Sequence, residues 1–185
     1  MKSILIFLVL ILSQVLFAES NAWLDKAGKP IKNSDSTKSI NDFGGWLIVT
    51  PDLDWKEKWE TPAETTPHFN TASKVNYGES LTILIFYANP KKGSSGFINI
   101  LCDIKVTRPD GSHSINAKDV TCATGKLEGP AKSLRLSLPV IKYTGEENDL
   151  PGIWKVEVNL TDKIRNVNIP LKTQFELLEK KGHNK

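Results

Sequence analysis

From Leu81 onward hydrophobic residues recur at every second position, and no long stretch repeats at helical spacing. Ile98, Ile100, Cys102, Ile104 and Val106 fall on one face of one segment, and Trp154, Val156, Val158 and Leu160 on one face of another. Val167, Ile169, Leu171, Thr173, Phe175 and Leu177 make a third such face, and Leu134, Leu136, Leu138 and Val140 a fourth. Successive side chains of a strand point to opposite sides, so each segment has one face that must be covered and one that stays wet. Asn89-Pro90, Pro109-Asp110-Gly111-Ser112, Gly129-Pro130 and Pro151-Gly152 separate the segments as turn signals. The pattern predicts an all-β fold, a two-sheet antiparallel sandwich of about seven strands. The strands are expected at 72–76, 80–88, 97–107, 115–122, 133–141, 152–161 and 166–178. Pro139 and Pro170 fall inside two of them and supply no ladder donor, which places them at an edge, a bulge or a strand end.

The chain starts with Lys2, an unbroken apolar run from Ile4 to Leu12, then Ser13-Gln14 and a small-residue exit at Ala18. This reads as a cleaved signal peptide over 1–18 and predicts a periplasmic or secreted protein with no transmembrane anchor once the peptide is removed. A spanning helix needs nearly twenty apolar residues, and the run here is shorter. The remainder divides into a Trp-rich extension at 19–65, the sandwich at 66–178 and a polar tail at 179–185. The formal net charge is +3, and one less without Lys2, which is no nucleic-acid signature.

Cys102 and Cys122 are the two cysteines, and an even number in an oxidising compartment is ordinarily paired. They lie ten residues to either side of Ser112, as partners across a hairpin would. A bridge of that loop length stabilises by about 3 kcal/mol in the chain-entropy account. His68, His113 and His183 are scattered, and no ligand pair stands at zinc spacing, so neither a metal nor a cofactor is expected.

Trp23, Trp46, Trp55 and Trp59 are four of the five tryptophans, and all precede the sandwich. Thr50-Pro51-Asp52 suits a helix start with Thr50 as N-cap, and Thr61-Pro62 ends it. Trp55 and Trp59 then share a face of a short helix. They form either an exposed platform for sugar rings or apolar peptides, or a plug over an end or edge of the sandwich; large aromatics usually serve as core. Gly45-Trp46-Leu47-Ile48-Val49 reads as a strand joining the same core.

The run Val75-Asn76-Tyr77-Gly78-Glu79-Ser80-Leu81-Thr82-Ile83 resembles the start of the second strand of immunoglobulin-like domains. Asp149-Leu150-Pro151-Gly152-Ile153-Trp154-Lys155-Val156 resembles their penultimate strand with its aromatic corner. The resemblance covers about 66–178, extends to bacterial Ig-like and macroglobulin-type repeats, and implies a fold. Trp154 stands where that family has a tyrosine, so the corner's hydroxyl bond is expected to be missing, and the bridge between sheets has no cysteines to form it. Asn89-Pro90-Lys91-Lys92-Gly93 resembles the first binding loop of chagasin-type cysteine-peptidase inhibitors at Asn89, Pro90 and Gly93. Lys91 and Lys92 replace its threonines, and no Arg-Pro-Trp occurs at Lys163-Ile164-Arg165-Asn166.

No nucleophile with a positioned base is legible: Gly93-Ser94-Ser95-Gly96 reads as a hairpin loop, and Glu146-Glu147 as a solvated edge. The chain is therefore read as a non-catalytic binding or envelope-assembly module with a protein or glycan partner, the alternative being a loop-based inhibitor of a peptidase or other hydrolase. Antiparallel alternation sends the loops at 88–96, 123–132 and 162–166 to one end, where Lys91, Lys92, Lys126, Lys132, Lys163 and Arg165 face only Glu128 and Asp162. The loops at 109–114 and 143–151 go to the other, with Asp110, Glu146, Glu147 and Asp149 and no Lys or Arg. The six cations are the expected docking residues for an anionic surface.

Overall fold

The computed structural model describes residues 21–25, 27–62 and 67–179, so the expected signal peptide and most of the polar tail lie outside the described residues. The described residues form an all-β fold, with two stacked sheets and one five-residue helix among them. The elements are β1 (Thr37–Ile40), β2 (Phe43–Thr50), α1 (Trp55–Trp59), β3 (Lys74–Val75), β4 (Ser80–Ala88), β5 (Phe97–Thr107), β6 (His113–Lys126), β7 (Arg135–Leu136), β8 (Ile141–Thr144), β9 (Gly152–Asp162) and β10 (Val167–Leu177). Sheet one runs β1–β2–β4–β7, with β8 also on β4; sheet two runs β3–β10–β9–β5–β6.

Period-two burial along β5, β9 and β10 fills the space between the sheets with Ile100, Ile104, Trp154, Val158, Ile169 and Phe175, met from sheet one by Phe43, Leu47, Leu81 and Ile85. Trp154 and Phe175 stack at one end of this core, and Tyr143 tilts against both rings. Pro170 sits mid-strand in β10 and is exposed, so its missing N–H costs the ladder little. Cys102 and Cys122 are bonded to each other inside the core. Register slips in the β5–β6 ladder set Cys102 opposite Val120, so the bridge runs diagonally.

Both lateral openings between the sheets are closed by backbone. On one side Ser36 O accepts from Leu47 of sheet one at 2.8 Å, while Asp35 O accepts from Lys172 of sheet two at 2.8 Å. On the other, Ser137 N–H donates to Ile85 O and Leu138 N–H to Cys122 O, so one short segment spans the sheets.

The described residues hold ten strands against the seven expected, because β1 and β2 from the expected 19–65 extension join sheet one and one expected strand is split; three expectations also fail locally. The segment expected as one strand at 133–141 is two, β7 and β8, because Pro139 breaks the ladder and the chain bulges around it. Its alternation breaks with it: Leu138 is 69% exposed while Ser137 is buried. The sandwich is also not wholly antiparallel, since β3 lies parallel to β10, reached by the crossing segment after β2. Finally, Thr50 is no N-cap. It is the buried last residue of β2, its Oγ1 accepts from the Asp52 N–H at 3.1 Å, and the helix begins only at Trp55.

Candidate binding surfaces

β4 is buried on both faces. Leu81, Ile83, Ile85 and Tyr87 enter the core, while Leu84 and Phe86 point the other way and need a separate cover. Three of the four N-terminal tryptophans supply much of it, and the fourth, Trp23, covers the neighbouring Gly44. Trp46 stacks on Phe86 at 5.0 Å between ring centroids, and Trp59 and Phe69 tilt onto the same ring at 5.4 and 5.6 Å. Trp55 joins this cluster, with Leu134, Leu136 and Val140 beside it. Trp23 lies over Gly44, where a Cβ would come within 2.7 Å of the indole, and its Nε1–H donates to Lys38 O at 2.9 Å. The plug expected at an end or edge of the sandwich is thus a layer over the outer face of sheet one, because that is where β4 leaves apolar surface. All four indoles are half-buried, so each also keeps an edge in solvent.

A buried carboxylate ties this layer down. Asp52 accepts from Lys58 Nζ at 2.9 Å, from Asn70 N at 2.9 Å and from Asn70 Nδ2 at 2.8 Å. Burial raises its pKa, but the bonds from Lys58 and Asn70 outweigh that and leave it at about 2.

At the far end of β4 the three expected loops converge with the β1–β2 turn. Asn41 and Asp42 form that turn with φ of 48° and 65°, as a two-residue hairpin requires. Asn89 Nδ2 donates to the Asp42 carbonyl and carboxylate at 2.7 Å, and Asn89 N to Ala131 O at 2.8 Å. Asp162, fully buried, accepts from Lys91 N at 2.7 Å and from the amides of Ile164 and Arg165 at 3.0 and 2.9 Å. Arg165 donates to the carbonyls of Asn41 and Asn89 at 2.8 Å each. Arg135 likewise turns inward, onto the carbonyls of Glu128 and Pro130.

Placement therefore sorts the six cations. Lys91, Lys92, Lys126, Lys132 and Lys163 are exposed at this end, and none pairs with a described acid. Elsewhere Lys58, Lys74, Lys105, Lys118 and Lys172 each face a carboxylate, whereas the exposed Lys142 and Lys155 form no ion pair with a described acid either. Arg165 differs from the five lysines: its guanidinium is taken up internally, a role visible only once the carbonyls of Asn41 and Asn89 are beside it.

Asp110, Glu146, Glu147 and Asp149 lie at the opposite end, where Tyr77 Oη donates to Asp149 O at 3.0 Å and Pro109 approaches Gly152. Arg108, just outside the expected loop, joins them with its guanidinium 5.8 Å from the Trp154 ring centroid. Trp154 has no hydroxyl to donate, and its Nε1–H reaches Leu150 O at 3.1 Å. An indole carries one N–H, and that donor could have been foreseen from the residue type.

Among the described residues no cluster of three or more His, Cys, Asp or Glu could hold a metal ion, and no helix is long and apolar enough to cross a membrane. No protein family matches the chain, and no curated protein does. Among solved structures, similarity is found to a family 123 glycoside hydrolase from Clostridium perfringens that hydrolyses glycolipid glycans. It has a TM-score of 0.41 and 10% identity, over 74% of this chain and 28% of that one. The alkylpurine DNA glycosylase AlkC of Pseudomonas fluorescens has a TM-score of 0.39 and 14% identity, over 72% and 29%. The chain thus spans under a third of either enzyme.

Proposed function

We propose that the protein is a non-catalytic binding or envelope-assembly module of the periplasm or cell exterior, docking an anionic partner through its lysine-bearing end. The observation that carries this is the contrast between the two kinds of cation there. Buried Asp162 and inward-turned Arg165 fix the loops, while five lysines on those loops stay exposed and unmatched. Such a fixed cluster raises the local concentration of anions at no reorganisation cost on binding. An immunoglobulin-like fold suits this use. Its support is the partition of strands: β4 with β7 and β8 in one sheet, β5, β9 and β10 in the other, as the second and fifth strands divide from the third, sixth and seventh in that fold.

The experiment is charge reversal at Lys91, Lys92, Lys126 and Lys163 together, omitting Arg165. Retention on a sulfated-polysaccharide column should fall to that of an uncharged surface, and its salt dependence should flatten, with the melting temperature nearly unchanged. Retention equal to the parent's would overturn the reading. A loop-based hydrolase inhibitor is the second reading, favoured by the meeting of the Asn89–Gly93 loop and the Lys163–Asn166 turn at one end. Loss of papain activity on titration with the protein would move the assignment there.

A further inference from the structure

One corner of the lysine-bearing end carries an apolar group that the fold does not use. Phe97, the first residue of β5, is 50% exposed. Its cross-strand partner is Lys126. Gly93 N–H donates to Phe97 O at 2.9 Å, which brings the Lys91-Lys92-Gly93 stretch alongside. Ile164 Cδ1 lies where a Cβ on Gly93 would touch it, at 3.6 Å, and Lys163 N–H donates to Asn99 O two residues along the strand. Gly93-Ser94-Ser95-Gly96, the second half of the 89–96 connection from β4 to β5, carries no side chain larger than a hydroxymethyl, which leaves Phe97 open on that side. The larger cavities are lined by other residues, on the outer face of sheet two and beside Leu81. A single exposed aromatic beside long cationic stems suits a broad deformable anionic surface better than a small ligand.

We infer that Phe97, flanked by the exposed Lys91, Lys92, Lys126 and Lys163, seats the protein on an anionic phospholipid surface by entering the headgroup layer. This rests on the lysine-bearing end being the docking surface and adds what it docks on. The lysines draw the end to the surface over a Debye length, and Phe97 supplies the contact that salt does not screen.

The test is co-sedimentation with phosphatidylcholine vesicles, with and without about one third phosphatidylglycerol, beside the polysaccharide column. The parent should bind only the anionic vesicles. Phe97→Ala should weaken vesicle binding about tenfold and leave column retention unchanged, while Phe97→Trp should restore vesicle binding. Column retention without vesicle binding, or vesicle binding indifferent to Phe97→Ala, overturns the membrane inference and leaves the lysine surface standing. Absence of both overturns the lysine surface as well.

Discussion

Arg165 Nη2 donates to the carbonyl oxygen of Asn89 at 2.8 Å, joining residues 76 positions apart across two loops. The same guanidinium reaches Asn41 O, and its backbone N–H is held by buried Asp162. Arg165→Ala should therefore lower unfolding free energy by about 2 kcal/mol, the scale of hydrogen bonds from a charged donor. Lys should not rescue it, because one ammonium cannot reproduce the planar fork. Urea unfolding checks this, with Lys91→Ala as the control expected to change nothing.

Asp52 gives a pH dependence with a definite sign. Its carboxyl sits at about 2 when folded, below the ordinary 3.8, so its stabilisation is complete above that ordinary value and is lost as pH falls from 3.8 toward 2. Asp52→Asn should remove at most about 2 kcal/mol at neutral pH and flatten the acid limb of stability. Unfolding free energies of both proteins between neutral pH and pH 2 decide it; parallel curves would refute the assignment.

Trp59 covers Phe86 while keeping one edge in water. Trp59→Ala should cost about 3 kcal/mol, the lower end of the range for truncating a core aromatic. Thermal melts test this directly. A variant that melts like the parent but loses a glycan would assign the indoles to ligand binding.

The corner bond from Trp154 to Leu150 is testable through Trp154→Phe, which keeps a ring and removes the N–H. About 2 kcal/mol should be lost, from the orphaned carbonyl and the smaller ring together. Amide exchange at Leu150, Gly152 and Ile153 should quicken more than in the β5–β6 hairpin.

What the sequence disclosed follows from how local each cause is. β4 and β5 match their expected bounds because period-two burial is written residue by residue. The Cys102–Cys122 bridge was legible too, since two strands joined by a turn fix which residues are neighbours. The second face of β4 was less so: Leu84 and Phe86 are apolar on the side that alternation would leave wet, a signal hidden within the continuous run Ile83 to Ala88. The division of labour between Lys91 and Arg165 was not legible at all. Both are loop cations, and only the position of the Asn41 and Asn89 carbonyls separates them.

The doubly buried β4 also bears on where the chain can be cut. A truncated protein starting at residue 66 would match the region of family resemblance, yet it would lack β2 and the indoles over Leu84 and Phe86. Its central strand would become a bare edge with apolar side chains on its open face, the arrangement that recruits other chains into aggregates. Expression trials and domain grafts therefore need β2 and the segment after it that carries Trp55 and Trp59.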